Sequence, residues 1–166
     1  MTEKQYMVIT NFCRKTKVRE KSIVFFSNYS PISVILIYSI TIFYLAMIKS
    51  PKLFLFIMLP AIDLIFISVL RKILNKSRPY DELNYEPLGK YKRGKGQSFP
   101  SRHTASAFII GMAFLYINKT YGLLMLVLAV MIGVSRIISG VHYPKDVLAG
   151  ASISLILGYI GFFLIG

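Results

Sequence analysis

Charged residues in this chain come in clusters, and the gaps between the clusters are long and apolar. Ser22 to Ile48 carries no charge, and its strongly apolar part begins at Pro31. After a short polar turn, Leu53 to Leu70 is apolar except for Asp63. Thr104 to Asn118 and Thr120 to Ser135 are charge-free runs separated by Lys119, and Val147 to Gly166 is the last such run. A helix needs about 20 residues to cross about 30 Å of hydrocarbon. The pattern predicts five membrane spans, at 31–48, 53–70, 102–118, 121–138 and 146–165. A backbone in lipid must satisfy its own hydrogen bonds, and strands of a barrel would alternate in polarity, so these runs are read as helices. Gly111, Ala113, Gly133, Gly150, Ala151, Gly158 and Gly161 give small surfaces for close helix packing. The expected fold class is all-α, an integral membrane helical bundle.

Two segments depart from this pattern. Residues 1–30 carry Lys4, Arg14, Lys15, Lys17, Arg19 and Lys21. No apolar stretch with a small-residue cleavage site directly follows the basic part, so it is not read as a signal peptide. Two readings stay open for it. Tyr6, Val8, Ile9, Phe12 and Cys13 can form the apolar face of an interfacial helix, or the segment is a basic tail that only fixes topology. The chain thus divides into a basic N-terminal segment, 1–30, and a single transmembrane domain, 31–166. The second departure is the polar connection from Arg71 to Gln97, long enough to suggest a functional loop. Its tyrosines Tyr80, Tyr85 and Tyr91 read as interfacial belt residues.

Composition agrees with a membrane chain. Of 166 residues, 55% are hydrophobic and only 16% charged, against about 25% charged in a soluble domain. Mean hydropathy is +0.59 and the formal net charge +13. That hydrophobicity excludes disorder. A nucleic-acid-binding domain can be equally basic, but it would not carry apolar runs of this length, so nucleic acid is not an expected partner. The lone Cys13 excludes an internal disulfide framework and a cysteine-built metal cluster.

The span ends carry the candidate chemistry. Arg71, Lys72 and Arg78 follow the second span; Ser101, Arg102 and His103 open the third; Arg136 closes the fourth; His142 and Asp146 open the fifth. Successive spans reverse direction, so all these groups belong to one face of the bundle. Several cations around one point repel unless an anion joins them, and arginine suits phosphate through planar bidentate donation. Pro100 can take the first position of the third helix, whose N–H groups would face the same anion. His142 and Asp146 are four residues apart, a spacing that puts them on one side of a first helical turn. A carboxylate on one ring nitrogen leaves the other free to attack, and His103 can protonate a leaving oxygen. The chemistry so assembled is phosphoryl transfer. Asp63 lies inside the second span, where a carboxylate is costly. It reads either as a protonated or hydrogen-bonded structural group or as a proton or substrate site.

In order, these clusters read RKILNKSRP (71–79), FPSRHT (99–104) and SRIISGVHYPKD (135–146). They resemble the three-part signature of the type 2 phosphatidic acid phosphatase superfamily, the lipid phosphate phosphatases related to haloperoxidases. The third part matches throughout. In the first, Arg71 stands where the family has lysine, with Lys72 adjacent; in the second, Arg102 stands where glycine is usual. The resemblance implies His142 as a nucleophile that forms a phosphohistidine, Asp146 as its orienting group, and His103 as acid and then base. It implies Arg71, Arg78, Ser101, Arg102 (through its N–H) and Arg136 as phosphate ligands, Lys72 as a possible one, and no metal or other cofactor. The side chain of Arg102 either meets a second phosphate or lipid headgroup, or snorkels to the interface.

The expected function is a membrane lipid phosphatase acting on polyprenyl diphosphate, phosphatidylglycerol phosphate or phosphatidic acid. The alternatives are a non-catalytic polybasic protein binding anionic lipids, and a lipid phosphotransferase. Expected partners are the bilayer and its lipid phosphate. Of the twenty Lys and Arg residues, only Lys49, Lys52 and Lys119 fall on the face opposite the site. The positive-inside rule therefore puts the site face in the cytoplasm, while the resemblance implies the outer side. Cys13, on the site face, offers a labelling test with an impermeant maleimide.

Overall fold

A computed structural model describes residues 1–94 and 96–166; Lys95, one of the loop cations counted above, lies outside the described residues. The chain is all-helical among the described residues, with seven α-helices: α1 (Glu3–Arg14), α2 (Lys17–Met47), α3 (Leu53–Leu74), α4 (Pro79–Glu82), α5 (Arg102–Ile117), α6 (Lys119–Ile138) and α7 (Pro144–Tyr159). A π-helical turn, Ile160–Ile165, continues α7. Among the described residues, four segments are long and apolar enough to cross a membrane, and α5 is a shorter apolar helix.

The helices run past the apolar stretches that announce them. α2 starts at Lys17 and carries Pro31 in its interior, whereas the apolar pattern begins only at Pro31. Lys, Arg and Glu are good helix formers, so hydropathy marks where lipid begins and not where the helix does. At 31 residues α2 is about 46 Å long, well beyond the hydrocarbon thickness. α3 likewise continues to Leu74, which puts Arg71 and Lys72 on its last turn.

α5 is the centre of the bundle and packs most extensively against α6, α7 and α3. With 16 residues it is only about 24 Å long. Thr104, Ala105, Ala107 to Phe114 are buried all round its circumference, as expected for a helix enclosed by others. Close approach depends on glycine at two contacts. A Cβ on Gly122 would lie 2.2 Å from the Leu115 backbone, and one on Gly150 would lie 2.7 Å from the Ser101 carbonyl oxygen. The second contact seats α7 on the start of α5. Outward-facing Ile35, Phe43, Phe54, Ile65, Leu124, Val127 and Ile156 are exposed, forming the surface that meets lipid.

Asp63 is fully buried between α3 and α7, where the Ser154 hydroxyl lies 2.9 and 3.1 Å from its two carboxyl oxygens. That favours the hydrogen-bonded structural reading. At the other end, Lys52 Nζ donates to the Tyr116 carbonyl oxygen at 3.0 Å, satisfying a carbonyl near the end of α5.

A second, smaller core sits on the polar side of the bundle. Tyr6, Tyr80, Tyr85 and Val141 are buried together, with Leu83, Tyr91 and Tyr143 against them. Tyr80 and Tyr85 are therefore not belt residues. The long loop folds back over the link between α6 and α7, where their rings find protein and not headgroups. α1 closes over the same region. Tyr6, Thr10 and Cys13 face inward, while Val8 and Phe12 are exposed. The apolar positions of the N-terminal segment thus divide between a protein-facing and an outward side.

Candidate active site

α3 and α6 end, and α5 and α7 begin, at one end of the bundle. Two local devices join the helix starts. The Ser101 N–H donates to the Asp146 carbonyl oxygen at 2.8 Å, and Gly150 lets α7 lie against Ser101. Ser101 is the N-cap of α5, which begins at Arg102; Pro100 precedes the helix and does not take its first position. The first turn of α5, carrying the Arg102 and His103 N–H groups, opens toward this end without intrahelical partners. Arg102 and His103 are both exposed.

α7 begins with Pro144 after the N-cap Tyr143, which fits proline's preset φ and missing donor. Asp146 in its first turn accepts the Tyr143 N–H on Oδ2 at 3.0 Å, the backbone half of a capping box. The same oxygen lies 3.5 Å from His142 Nδ1. Ser98 was not singled out by the sequence motifs. Its hydroxyl donates to Asp146 Oδ2 at 2.5 Å and lies 3.3 Å from His142 Nδ1. Because the Ser98 proton goes to the carboxylate, its oxygen can accept from Nδ1–H. Both contacts put the imidazole proton on Nδ1 and leave the Nε2 lone pair free.

His142 is 2% exposed. Burial pushes its pKa down to about 4, opposed by the Asp146 hydrogen bond and reinforced by the positive charges of Arg78 and Arg71. The imidazole is accordingly neutral at neutral pH.

The cations differ in their surroundings. Arg71 is buried, and its Nη1 donates to the Ser98 and Pro100 carbonyl oxygens at 3.3 and 2.6 Å. It therefore braces the loop that carries Ser98. Lys72, one position on, is exposed, so the register brings Arg71 and not Lys72 inward. Arg78 is half-buried and donates through Nε to Gly96 O at 3.4 Å. Arg136 is 5% exposed, and among the described residues its Nε has no hydrogen-bond partner. Asp146 Oδ1 is also unpartnered among them. Ser101 is fully buried and its hydroxyl lies 2.9 Å from that of Thr104, so its contacts here are to protein. Among the described residues, no group of three His, Cys, Asp or Glu is placed to hold a metal ion.

Residues 52–165 match the PAP2 superfamily, and the chain belongs to that superfamily. It is similar to the bacitracin transport permease protein BcrC of Bacillus licheniformis, 40% identical over 95 residues, which are 53% of this chain and 47% of the relative. It also resembles undecaprenyl-diphosphatase BcrC of Bacillus subtilis, 40% identical over 65 residues, 39% of this chain and 34% of the relative. The matches span half or less of these curated relatives' length. Among solved structures, Aquifex aeolicus LpxE superposes with a TM-score of 0.75 at 25% identity, covering 95% of this chain and 92% of that one. A PAP2-type phosphatidylglycerolphosphate phosphatase of Bacillus subtilis shares the fold, with a TM-score of 0.70 at 22% identity, covering 95% of this chain and 83% of that one. With its apolar helices, the chain is a multi-pass membrane protein.

Proposed function

We propose that this chain is a membrane lipid phosphatase that cleaves a phosphomonoester or diphosphate headgroup through a phosphohistidine at His142. One observation carries the reading: a buried, neutral imidazole, held through Nδ1 by Ser98 and Asp146, shares its end of the bundle with Arg71, Arg78 and Arg136, whose Nε has no partner among the described residues. Nε2 of His142 attacks phosphorus and the bond from phosphorus to the lipid oxygen breaks. His103, at the open start of α5, gives its proton to that oxygen. Water then attacks the phosphohistidine, His103 takes its proton, the P–N bond breaks, and phosphate leaves. Arg78, Arg136 and the first-turn N–H groups of α5 neutralise the equatorial oxygens, while Arg71 holds the loop beside them. Ser101 supports this wall from behind, through its contacts to Thr104 and Asp146.

A polyprenyl diphosphate is the favoured substrate. The BcrC relative named as an undecaprenyl-diphosphatase supports that choice, and the exposed Arg102 is placed at the open start of α5, where a second phosphate would lie. The test is phosphate release by detergent-purified protein from a panel of polyprenyl diphosphate, phosphatidylglycerol phosphate and phosphatidic acid, with and without chelator. Release that persists in chelator and is fastest with the diphosphate is the expected result. No release from any of the three contradicts the reading.

The charge asymmetry supports a cytoplasmic site face. Cys13 is buried and unsuited to labelling. The exposed Lys15, changed to cysteine in a Cys13→Ser background, serves instead. An impermeant maleimide that leaves it unmodified in intact cells agrees with this orientation, and labelling from outside reverses it.

A further inference from the structure

The superfamily match begins at residue 52, yet a side chain far upstream of it reaches the nucleophile's backbone. Tyr6 on α1 is fully buried, and its hydroxyl donates to the carbonyl oxygen of His142 at 3.0 Å. Its ring stacks on Tyr85, with centroids 4.9 Å apart and planes within 1°, and meets Tyr143 edge-on at 6.0 Å. The Tyr85 hydroxyl donates to the Gly140 carbonyl oxygen at 2.6 Å, and the Leu88 N–H donates to that of Ser139 at 3.0 Å. Three carbonyls of the link between α6 and α7 are thus held by donors from α1 and the long loop. Gly140 is at φ 72°, and a Cβ there would come within 2.9 Å of the Tyr85 ring. α1 is itself fastened to the loop: Arg14 donates to the Glu86 and Pro87 carbonyl oxygens at 3.1 and 3.0 Å, and Glu3 accepts the Asn84 N–H at 3.3 Å.

We propose that Tyr6 is a positioning residue for the reaction, fixing the backbone of His142 so that its imidazole stays on Ser98 and Asp146 with Nε2 aimed at phosphorus. The inference rests on the reading of His142 as nucleophile. The link is irregular backbone between two helices, and an imidazole on an untethered link would sample other directions. Displacement of a reacting atom by about 1 Å costs roughly a hundredfold in rate. A purely packing role would need only the Tyr6 ring, which phenylalanine also supplies. The hydroxyl–carbonyl bond is what distinguishes the two.

The test uses the full-length protein in detergent with polyprenyl diphosphate as substrate. Tyr6→Phe keeps the stack and removes the bond. It is expected to lower kcat about tenfold, the worth of one buried hydrogen bond, with KM and competitive inhibition by inorganic phosphate unchanged within twofold. Tyr85→Phe, which frees only Gly140, is expected to act in the same direction and decides the matter should Tyr6→Phe not fold. Wild-type kcat in the folded variants overturns the proposal. So does a kcat loss matched by an equal loss of phosphate inhibition and a lowered melting temperature, because that is general loosening. A wild-type protein inactive on every lipid phosphate refutes the phosphatase reading instead.

Discussion

The Ser98 hydroxyl lies 2.5 Å from Asp146 Oδ2, a full ångström closer than His142 Nδ1 at 3.5 Å. A serine from the loop before α5 therefore contacts both the carboxylate and the imidazole of the third sequence cluster through one atom.

Removing that atom tests the arrangement. Ser98→Ala is expected to lower kcat about tenfold or more, the worth of a hydrogen bond to a charged group. KM should change little, because Ser98 contacts no substrate oxygen in this account. Steady-state kinetics on the best lipid of the panel checks it.

Arg136 is a buried cation whose Nε has no partner among the described residues, a costly state that an anion relieves. Orthophosphate at millimolar concentration is expected to raise the melting temperature of the wild-type protein by linkage. Arg136→Gln should abolish that rise and weaken competitive inhibition by phosphate by at least about tenfold. Thermal melts with and without phosphate give the readout.

The depressed pKa of His142 makes a prediction about acid. Its folded value is about 4, below the ordinary value of 6.5. Between those two pH values the unfolded chain takes up a proton that the folded protein refuses. Stability therefore falls as pH drops from 6.5 toward 4 and is unaffected by this group above 6.5. The loss is on the order of 3 kcal/mol at full extent. Melting temperatures across that range should show a decline that is smaller in His142→Gln.

Asp63 is a structural polar contact in this account, so its loss should touch stability before chemistry. It sits two turns before Arg71, about 12 Å along α3. Asp63→Asn, which can still pair with Ser154, is expected to keep both activity and melting temperature. Asp63→Leu leaves the buried Ser154 hydroxyl unpaired, at a cost of about 1–3 kcal/mol, and should lower the melting temperature while the folded fraction keeps its kcat. A kcat lost in Asp63→Asn would give the carboxylate a proton or substrate role.

The membrane bundle was legible because lipid penalises charge so heavily that gaps between charges outline the helices. The shared face of Arg71, Ser101, Arg136, His142 and Asp146 followed from parity alone. Helix ends were less legible: Lys17 to Ser30 add 14 residues, about four turns, to α2 ahead of its strongly apolar part, because helix propensity and hydropathy are separate properties. Arg71 and Lys72 could be told apart only by burial. Ser98 had a weak signal, lying in the segment that leads into the second cluster. Tyr6 and Tyr85 had none. They act through carbonyl oxygens of His142 and Gly140, and no side-chain pattern records which distant donor a backbone acceptor takes.

Trapping the enzyme by rapid acid-free denaturation during turnover of a lipid diphosphate labelled in its terminal phosphate shows whether His142 carries the phosphoryl group. Acid-labile, alkali-stable label is expected on the peptide containing residue 142, and none in a folded His142→Ala variant that releases no phosphate. Phosphate release by that variant at the wild-type rate, or label on any other residue, would contradict it.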